Sequence, residues 1–320
     1  MPQRLVLYLI LISLGSVSLD VDAQAFMRPN EWKKYKREVF VTMGTANFLG
    51  DLGGNAGEGK DYSPADLDFM QSRTAFGFGA RYKLKRRVNV LGKFSYLNVK
   101  GDDAVTPNIY RNNRNLNFKS NIFELSGRLE GGWQSTKRGG NRYGIRKNYG
   151  TLKGLTHNVY AFVGLGVFYF NPKGRTSQGD WVNLYNLHTE GQGLPGGPKQ
   201  YSRVTLSIPV GGYYKLTFNK IWSIGLEFSY RKTFTDYIDD VASGYFDPEL
   251  LSTAYGPLSA QMADPSLGLN PELITATKPN ADGSPAQRGD RQKDAFMSLE
   301  ITAGYIFKQK HKAFRLRSKF

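Results

Sequence analysis

The sequence predicts an all-β protein, an eight-stranded antiparallel transmembrane β-barrel with long outer loops. Three observations predict it. The stretch Trp222 to Lys232 alternates strictly: Trp222, Ile224, Leu226, Phe228 and Tyr230 are apolar, whereas Ser223, Gly225, Glu227, Ser229 and Arg231 are small or charged. Such alternation sends one set of side chains to an apolar surrounding and the other to a polar one. Seven further segments have strand character, and several run for at least the roughly 9–11 residues that a tilted strand needs to cross a bilayer. The composition agrees, since 36 Gly, 19 Tyr and 20 Phe in 320 residues favour turns and strands over helices.

The chain begins with Arg4, an apolar run from Leu5 to Leu14, and small residues ending at Val21-Asp22-Ala23. That order is the pattern of a secretory signal peptide over residues 1–23. Its apolar run is shorter than the roughly 20 residues of a spanning helix. A basic segment, 24–37, follows with Arg28, Lys33, Lys34, Lys36 and Arg37. The barrel is expected over 38–307. Its first strand is Glu38 to Phe48. Its second, Arg73 to Leu84, sets Phe76, Phe78, Ala80, Tyr82 and Leu84 against Gly77, Gly79, Arg81 and Lys83. The turn Lys85-Arg86-Arg87 leads to a third, Val88 to Val99, which carries Lys93. The fourth, Leu116 to Trp133, has Phe123, Leu125, Leu129 and Trp133 on one face and Glu124, Ser126, Arg128 and Glu130 on the other. A basic connection, 134–156, leads to the fifth, His157 to Phe170, and a loop follows over 171–202. The sixth is Arg203 to Thr217, the seventh starts at Trp222, and the eighth is Phe296 to Phe307. Between the last two lies the longest irregular stretch, Thr235 to Ala295. There Asp247-Pro248-Glu249 and Asn270-Pro271-Glu272 place proline where a short helix starts. A basic tail occupies 308–320.

Alternation alone does not say whether the apolar face points in or out, and a soluble sandwich or lipocalin-like barrel has the same period. Two features favour the membrane. Aromatics gather near strand ends (Trp133, Phe168, Tyr169, Phe170, Trp222, Tyr305, Phe307), where interfacial girdles sit. The charges on the minority face, Arg81, Lys83, Lys93, Glu124, Arg128, Glu130, Glu227, Arg231 and Glu300, need an enclosed place to pair. Eight strands leave an interior filled by side chains rather than an open channel.

The connections divide in two. One set includes two very short turns and, with the basic terminal segments, faces the periplasm if the mature N-terminus does. The other four are long and hold acids such as Asp51, Asp236, Asp239 and Asp240. The formal net charge of +16 is therefore concentrated at the periplasmic end. Arg138, Arg142, Arg146, Lys147, Lys308, Lys310 and Lys312 are candidates to dock a protein partner, although basic rims also suit anionic lipid headgroups. Outer-membrane lipids are expected partners, and nucleic acid is not.

No chemistry-bearing motif is convincing. Gly54 to Lys60 has phosphate-loop spacing but is followed by Asp61 and by no helix. His157, His188 and His311 are scattered, and no His–Ser pair shares a strand region, so neither a zinc site nor an enzyme is expected. No cofactor is expected, and the absence of cysteine excludes a thiolate site. Asp236, Asp239 and Asp240 form an acidic outer rim that is either solvated, paired with Arg231 and Lys232, or a calcium ligand set. Arg288-Gly289-Asp290 matches an adhesion tripeptide by chance.

The segments NLNFKSNIFELS (115–126), VGLGVFYFNPKG (163–174), LHTEGQG (187–193) and above all YRKTFTDYIDDV (230–241), with FLGDL (48–52) and QRGDRQKDAF (287–296), resemble the PorG-like family of Bacteroidota. The resemblance spans the mature chain. It implies an outer-membrane β-barrel without catalytic residues. For the member that names the family, it implies a component of the type IX secretion and gliding apparatus, associated with a periplasmic PorK/PorN ring.

Overall fold

A computed structural model describes residues 31–52, 71–106, 109–135, 156–218, 220–242, 244–266, 288–289 and 292–309. The expected signal peptide, the candidate phosphate loop at 54–60, the second proline-led segment at 270–274, the basic residues of 136–155 and the tail beyond 309 lie outside them. The chain forms two units, residues 1–33 and 34–320. Of the first, only part of a 3-10 turn, Glu31–Lys34, is described.

Eight long strands of the second unit close on themselves: β1 (Arg37–Leu49), β2 (Arg73–Lys85), β3 (Val88–Asp102), β4 (Asn117–Ser135), β5 (Thr156–Arg175), β7 (Val204–Phe218), β8 (Trp222–Thr233) and β9 (Ala295–Phe307). Each pairs antiparallel with its chain neighbour among these eight, and β1 pairs with β9 to complete the ring. A three-residue strand, β6 (Trp181–Asn183), adds to the far end of β5. The tight turns β2–β3 and β7–β8 lie at the end where β1 begins and β9 finishes. The β4–β5 connection joins the strands at that same end, and the β1–β2, β3–β4, β5–β7 and β8–β9 connections lie at the other.

Parity decides the faces. In β8 exposed and buried positions alternate along the strand, with Trp222, Ile224, Leu226 and Phe228 outward and Ser223, Glu227, Ser229 and Arg231 inward. Leu165 on β5 is 71% exposed, while Glu124 on the adjacent β4 is fully buried. An aliphatic wall with its carboxylates enclosed inverts the soluble arrangement and is what a bilayer requires. The soluble-barrel alternative therefore does not describe this fold.

Near the outer end, the inward positions turn from polar to apolar. Leu97 and Val99 of β3, Phe118 and Ile122 of β4, Phe168 and Phe170 of β5 and Phe296 of β9 form the main hydrophobic core with Leu52, Leu184, Ile238, Val241 and Met262 from the connections. Phe168 and Phe170 are thus not girdle residues as expected. They share the inward parity of Phe162 and pack against each other, and Phe168 meets Phe296 edge-on at 5.6 Å. Trp222, Tyr305 and Phe307 do face outward, at the short-turn end.

Two expected loops are structured. The fifth strand continues past Phe170 to Arg175, because the main chain at Lys173–Arg175 finds partners in β6. Short helices complete the outer end: α1 (Ile109–Arg114), α2 (Pro248–Tyr255) and α3 (Pro257–Ala263). The Asp247 side chain accepts from the amides of Glu249 and Leu250, and Pro248 occupies the first turn of α2. Gly256, at φ 94°, ends α2 in a backbone region open to glycine, and Pro257 then starts α3.

Candidate functional site

The lumen is filled by three tiers of ion pairs. In the tier nearest the short turns, Glu38 and Arg81 are direct cross-strand partners, and an Arg81 amine lies 2.9 Å from Glu38. Arg81 also reaches across β3 to Glu130, with contacts of 2.7 and 3.1 Å. Asn89 donates to Glu130, Ser223 to Glu38, and the Lys215 ammonium closes on the same Glu38 oxygen as Arg81. The Arg81 guanidinium is held between the rings of Phe40 and Tyr213, at 4.8 and 4.7 Å from their centroids.

In the middle tier, Glu227 and Glu300 face each other directly across β8 and β9. Like charges so placed repel. Lys93, arriving from β3 on the opposite wall, donates to both at 3.0 and 2.9 Å, and Arg128 of β4 adds a 2.7 Å bond to Glu227. In the upper tier, Arg231 of β8 donates to Glu124 of β4 at 2.8 Å and to Ser298 at 2.9 Å, while Ser207 donates to Glu124 at 2.7 Å. Among the described strand residues, Arg81, Lys93, Arg128, Lys215 and Arg231 thus face Glu38, Glu124, Glu130, Glu227 and Glu300, all buried. An unpaired ion here would cost several kcal/mol, so the balance of five cations and five carboxylates is a condition of the fold.

The seven residues expected in a lumen network, Arg81, Glu124, Arg128, Glu130, Glu227, Arg231 and Glu300, all lie inside the barrel and bond one another or Lys93 and Glu38. Sequence reasoning missed Glu38 and Lys215. Both were legible by parity: Glu38 alternates with Val39 and Val41, and Lys215 sits between Tyr214 and Leu216 opposite the exposed set. Lys83 is half-buried near the short-turn end.

Above the hydrophobic layer, a polar latch ties the outer connections together. Arg288 is its hub. It donates to the main-chain carbonyls of Asp240 (2.7 Å) and Ala263 (3.1 Å) and to Thr189 and Glu190 (3.3 Å each). Arg114 grips Asp103 at 2.7 and 3.1 Å and donates to the carbonyls of Asp51 and Arg288. Asp240 adopts φ 68°, a left-handed conformation that Asp tolerates, and accepts from Thr189 (2.5 Å) and Tyr201 (2.6 Å). The Arg288-Gly289 pair is therefore part of the internal latch. Reading the tripeptide as a chance match missed this structural role of Arg288.

The acidic rim needs correction. Asp236 is half-buried, but Asp239 and Asp240 are buried outright. The turn after β8 folds inward over the hydrophobic layer, so neither a solvated rim nor a pairing with Arg231 and Lys232 describes them. Arg231 is committed to Glu124 below. Among the described residues, no group of three or more His, Asp or Glu is arranged to hold a metal ion, so the calcium alternative finds no ligand set there. Burial pushes the Asp240 carboxyl up to about 6, with Arg288 opposing the rise. Burial also raises Asp239, reinforced by Asp51, and raises Asp294, reinforced by Asp239. Asp239 Oδ1 accepts from the Val241 amide and Asp294 Oδ2 from the Ile238 amide, while the other oxygen of each has no hydrogen-bond partner.

Of the expected docking residues, Lys308 is described and is exposed at the end of β9. Arg138, Arg142, Arg146, Lys147, Lys310 and Lys312 lie outside the described residues.

No protein-family model matches the sequence, and neither does any curated protein. Solved structures do match in fold. Ail, the attachment invasion locus protein of Yersinia pestis, is 10% identical over 85% of this chain and 99% of its own, with a TM-score of 0.33. Neisserial surface protein A is 7% identical over 85% and 97%, with a TM-score of 0.33. The N-terminal β-barrel domain of Pseudomonas aeruginosa OprF is 9% identical over 84% and 98%, with a TM-score of 0.31.

Proposed function

We propose that this chain is a non-enzymatic outer-membrane β-barrel protein. It serves as a sealed anchor whose basic periplasmic segments dock partners of the type IX secretion and gliding apparatus, as in the PorG-like family. The observation that carries the anchor is the lumen: among the described residues, three tiers of mutually neutralised ions under a hydrophobic layer fill the barrel interior. Support for the docking role comes from the sequence, where the cationic segments cluster at one end, and from the PorG-like motifs. Its partners on this reading are PorK/PorN-like ring proteins. A deletion strain assayed for exported cargo tests it, with pull-down from solubilised membranes by the wild type and by an Arg142→Glu, Arg146→Glu, Lys147→Glu variant. Cargo should be retained in the deletion strain, and the variant should lose ring components. Normal secretion and unchanged recovery would sink the role.

The ordered outer end favours a second reading, a barrel that acts through its outer connections. Leu250 of α2, Leu258 of α3 and Val105 are exposed there. Removal of 244–266 separates the two: secretion survives it on the first reading, and surface binding is lost on the second.

A further inference from the structure

A groove crosses the outer wall of the barrel over β1, β2 and β3. Its floor is Val39, Ala80 and Gly92, side by side in register. A Cβ added at Gly92 would meet nothing within 4 Å, so the floor is open to the outside. Taller outward side chains stand at either end of it, Tyr82 and Val90 toward the short turns, Phe78 and Phe94 toward the outer end. Two hollows of about 650 and 920 Å³ share this floor. The first runs to the strand ends, where Arg37, Lys308 and Gln309 line it beside Phe307. Arg37 and Lys308 are exposed, and the Lys36 ammonium lies 5.7 Å from the centroid of Tyr82 at the same mouth. The groove is therefore apolar along its length and cationic at one end.

We propose that this groove binds an anionic glycerophospholipid of the leaflet that borders the short-turn end. One acyl chain lies over Gly92 and Ala80, and the phosphate sits between Arg37 and Lys308. Charge complementarity chooses the occupant: a zwitterionic headgroup brings its own cation to a mouth that already holds several, whereas an anionic one neutralises them. The concave floor chooses an alkyl chain, since hollows lined by Val39, Ala80, Phe78 and Phe94 on a bilayer-facing wall favour apolar contact over water. Residence in a bilayer is taken from the proposed function above.

The test uses the full chain in nanodiscs of phosphatidylethanolamine with a minor share of phosphatidylglycerol, followed by native mass spectrometry of the released protein. The wild type should retain one phosphatidylglycerol, enriched about tenfold over its share of the disc. Gly92→Leu fills the floor without striking the barrel and should lose the retained lipid. Gly131→Leu also points into open space but lies outside the groove, and should behave as wild type. Arg37→Gln with Lys308→Gln, which changes only exposed ends, should reduce the enrichment to near unity. Retention in proportion to abundance by the wild type overturns the site, as does unchanged retention by Gly92→Leu. Should Gly92→Leu fail to insert, unchanged enrichment in the double variant overturns it instead. A wild-type chain that never enters the discs overturns the membrane reading and the site with it. One that enters but shows no preference overturns the site alone.

Discussion

The lumen and the outer latch both bury acids, yet they treat them oppositely. Every buried carboxylate in the lumen tiers touches a cation: Glu38 has Arg81 and Lys215, Glu130 has Arg81, Glu124 has Arg231, and Glu227 and Glu300 share Lys93. In the outer end, Asp239 and Asp294 each take one main-chain amide, and their nearest strong influences are burial and other aspartates. The lumen is stable as a set of ions. The latch is stable when some of its acids hold protons. One barrel therefore contains a trunk of paired ions and a pH-responsive lid of connections.

The comparison breaks most severely at Lys93. Lys93→Met would leave Glu227 and Glu300 opposed across β8 and β9 with Arg128 and Arg231 as remaining cations. Removing one partner of a buried ion network costs about 3–5 kcal/mol, so the urea midpoint of the folded barrel in detergent should fall steeply. Adding Glu300→Gln should recover much of the loss. If Lys93→Met alone unfolded at the wild-type midpoint, the tier would not be a condition of the fold.

Arg288→Met comes next. It strips the latch of its hub and takes one donor from Glu190 and one from each of two carbonyls, for a loss of about 1–3 kcal/mol confined to the outer end. Limited proteolysis should cut within 184–202 or 237–266 while the strands stay intact. Equal protection of both regions would refute the division between trunk and lid.

The pH response sharpens the contrast. Asp240 has its folded value raised from an ordinary 3.8 to about 6. For a raised acid, the folded state binds the extra proton, so the stabilisation is complete below the unfolded value and is lost as pH climbs through the folded one. Asp239 and Asp294 shift in the same direction. The protection factors of Ile238 and Val241, corrected for the intrinsic exchange rate at each pH, should therefore be higher at pH 5 than at pH 8. Asp294→Asn should flatten that dependence and protect Ile238 at pH 8, by about 1 kcal/mol or more. Lower protection at pH 5 would reverse the sign and reject the assignment.

The smallest effect belongs to Lys100–Asp102, a pair at 2.9 Å whose side chains are each 21% exposed. Lys100→Ala should shift the midpoint by less than about 1 kcal/mol. A larger shift would mean that exposed pairs also carry the fold.

The strands were legible because their period is short and their chemistry extreme. Glu227 and Arg231 between Leu226, Phe228 and Tyr230 mark a two-faced strand, although which face points inward is decided only by the structure. The expected strand ends differ from the observed ones by one residue at most sites. They differ by more at the outer ends of β3 and β5 and at the end of β4. Beyond Phe170 the chain of β5 stays extended because it pairs with β4 as far as Lys173 and with β6 over Lys173–Arg175, and main-chain pairing of that kind is not written in side-chain identity. The latch was not legible for a related reason. Arg288, Glu190, Asp240 and Arg114 are separated by up to 174 residues, and both arginines donate to main-chain carbonyls, which carry no signal in side-chain identity. Asp239 and Asp240 looked like surface acids because adjacent charges usually are. Only the inward fold of the turn buries them.

The reach of Lys93 has a consequence for biogenesis. Its two carboxylates lie 134 and 207 positions further along the polypeptide, on the penultimate and final strands. A hairpin of β2 and β3 entering lipid by itself would drag Arg81 and Lys93 with it unpaired, and β8 with β9 would bring Glu227 and Glu300 with Arg231 as their single cation. Piecewise insertion is thus penalised at every intermediate stage. Neutralisation and ring closure arrive together when the C-terminal strand docks against the first, which makes assembly of this wall an all-at-once event that waits for the end of the chain.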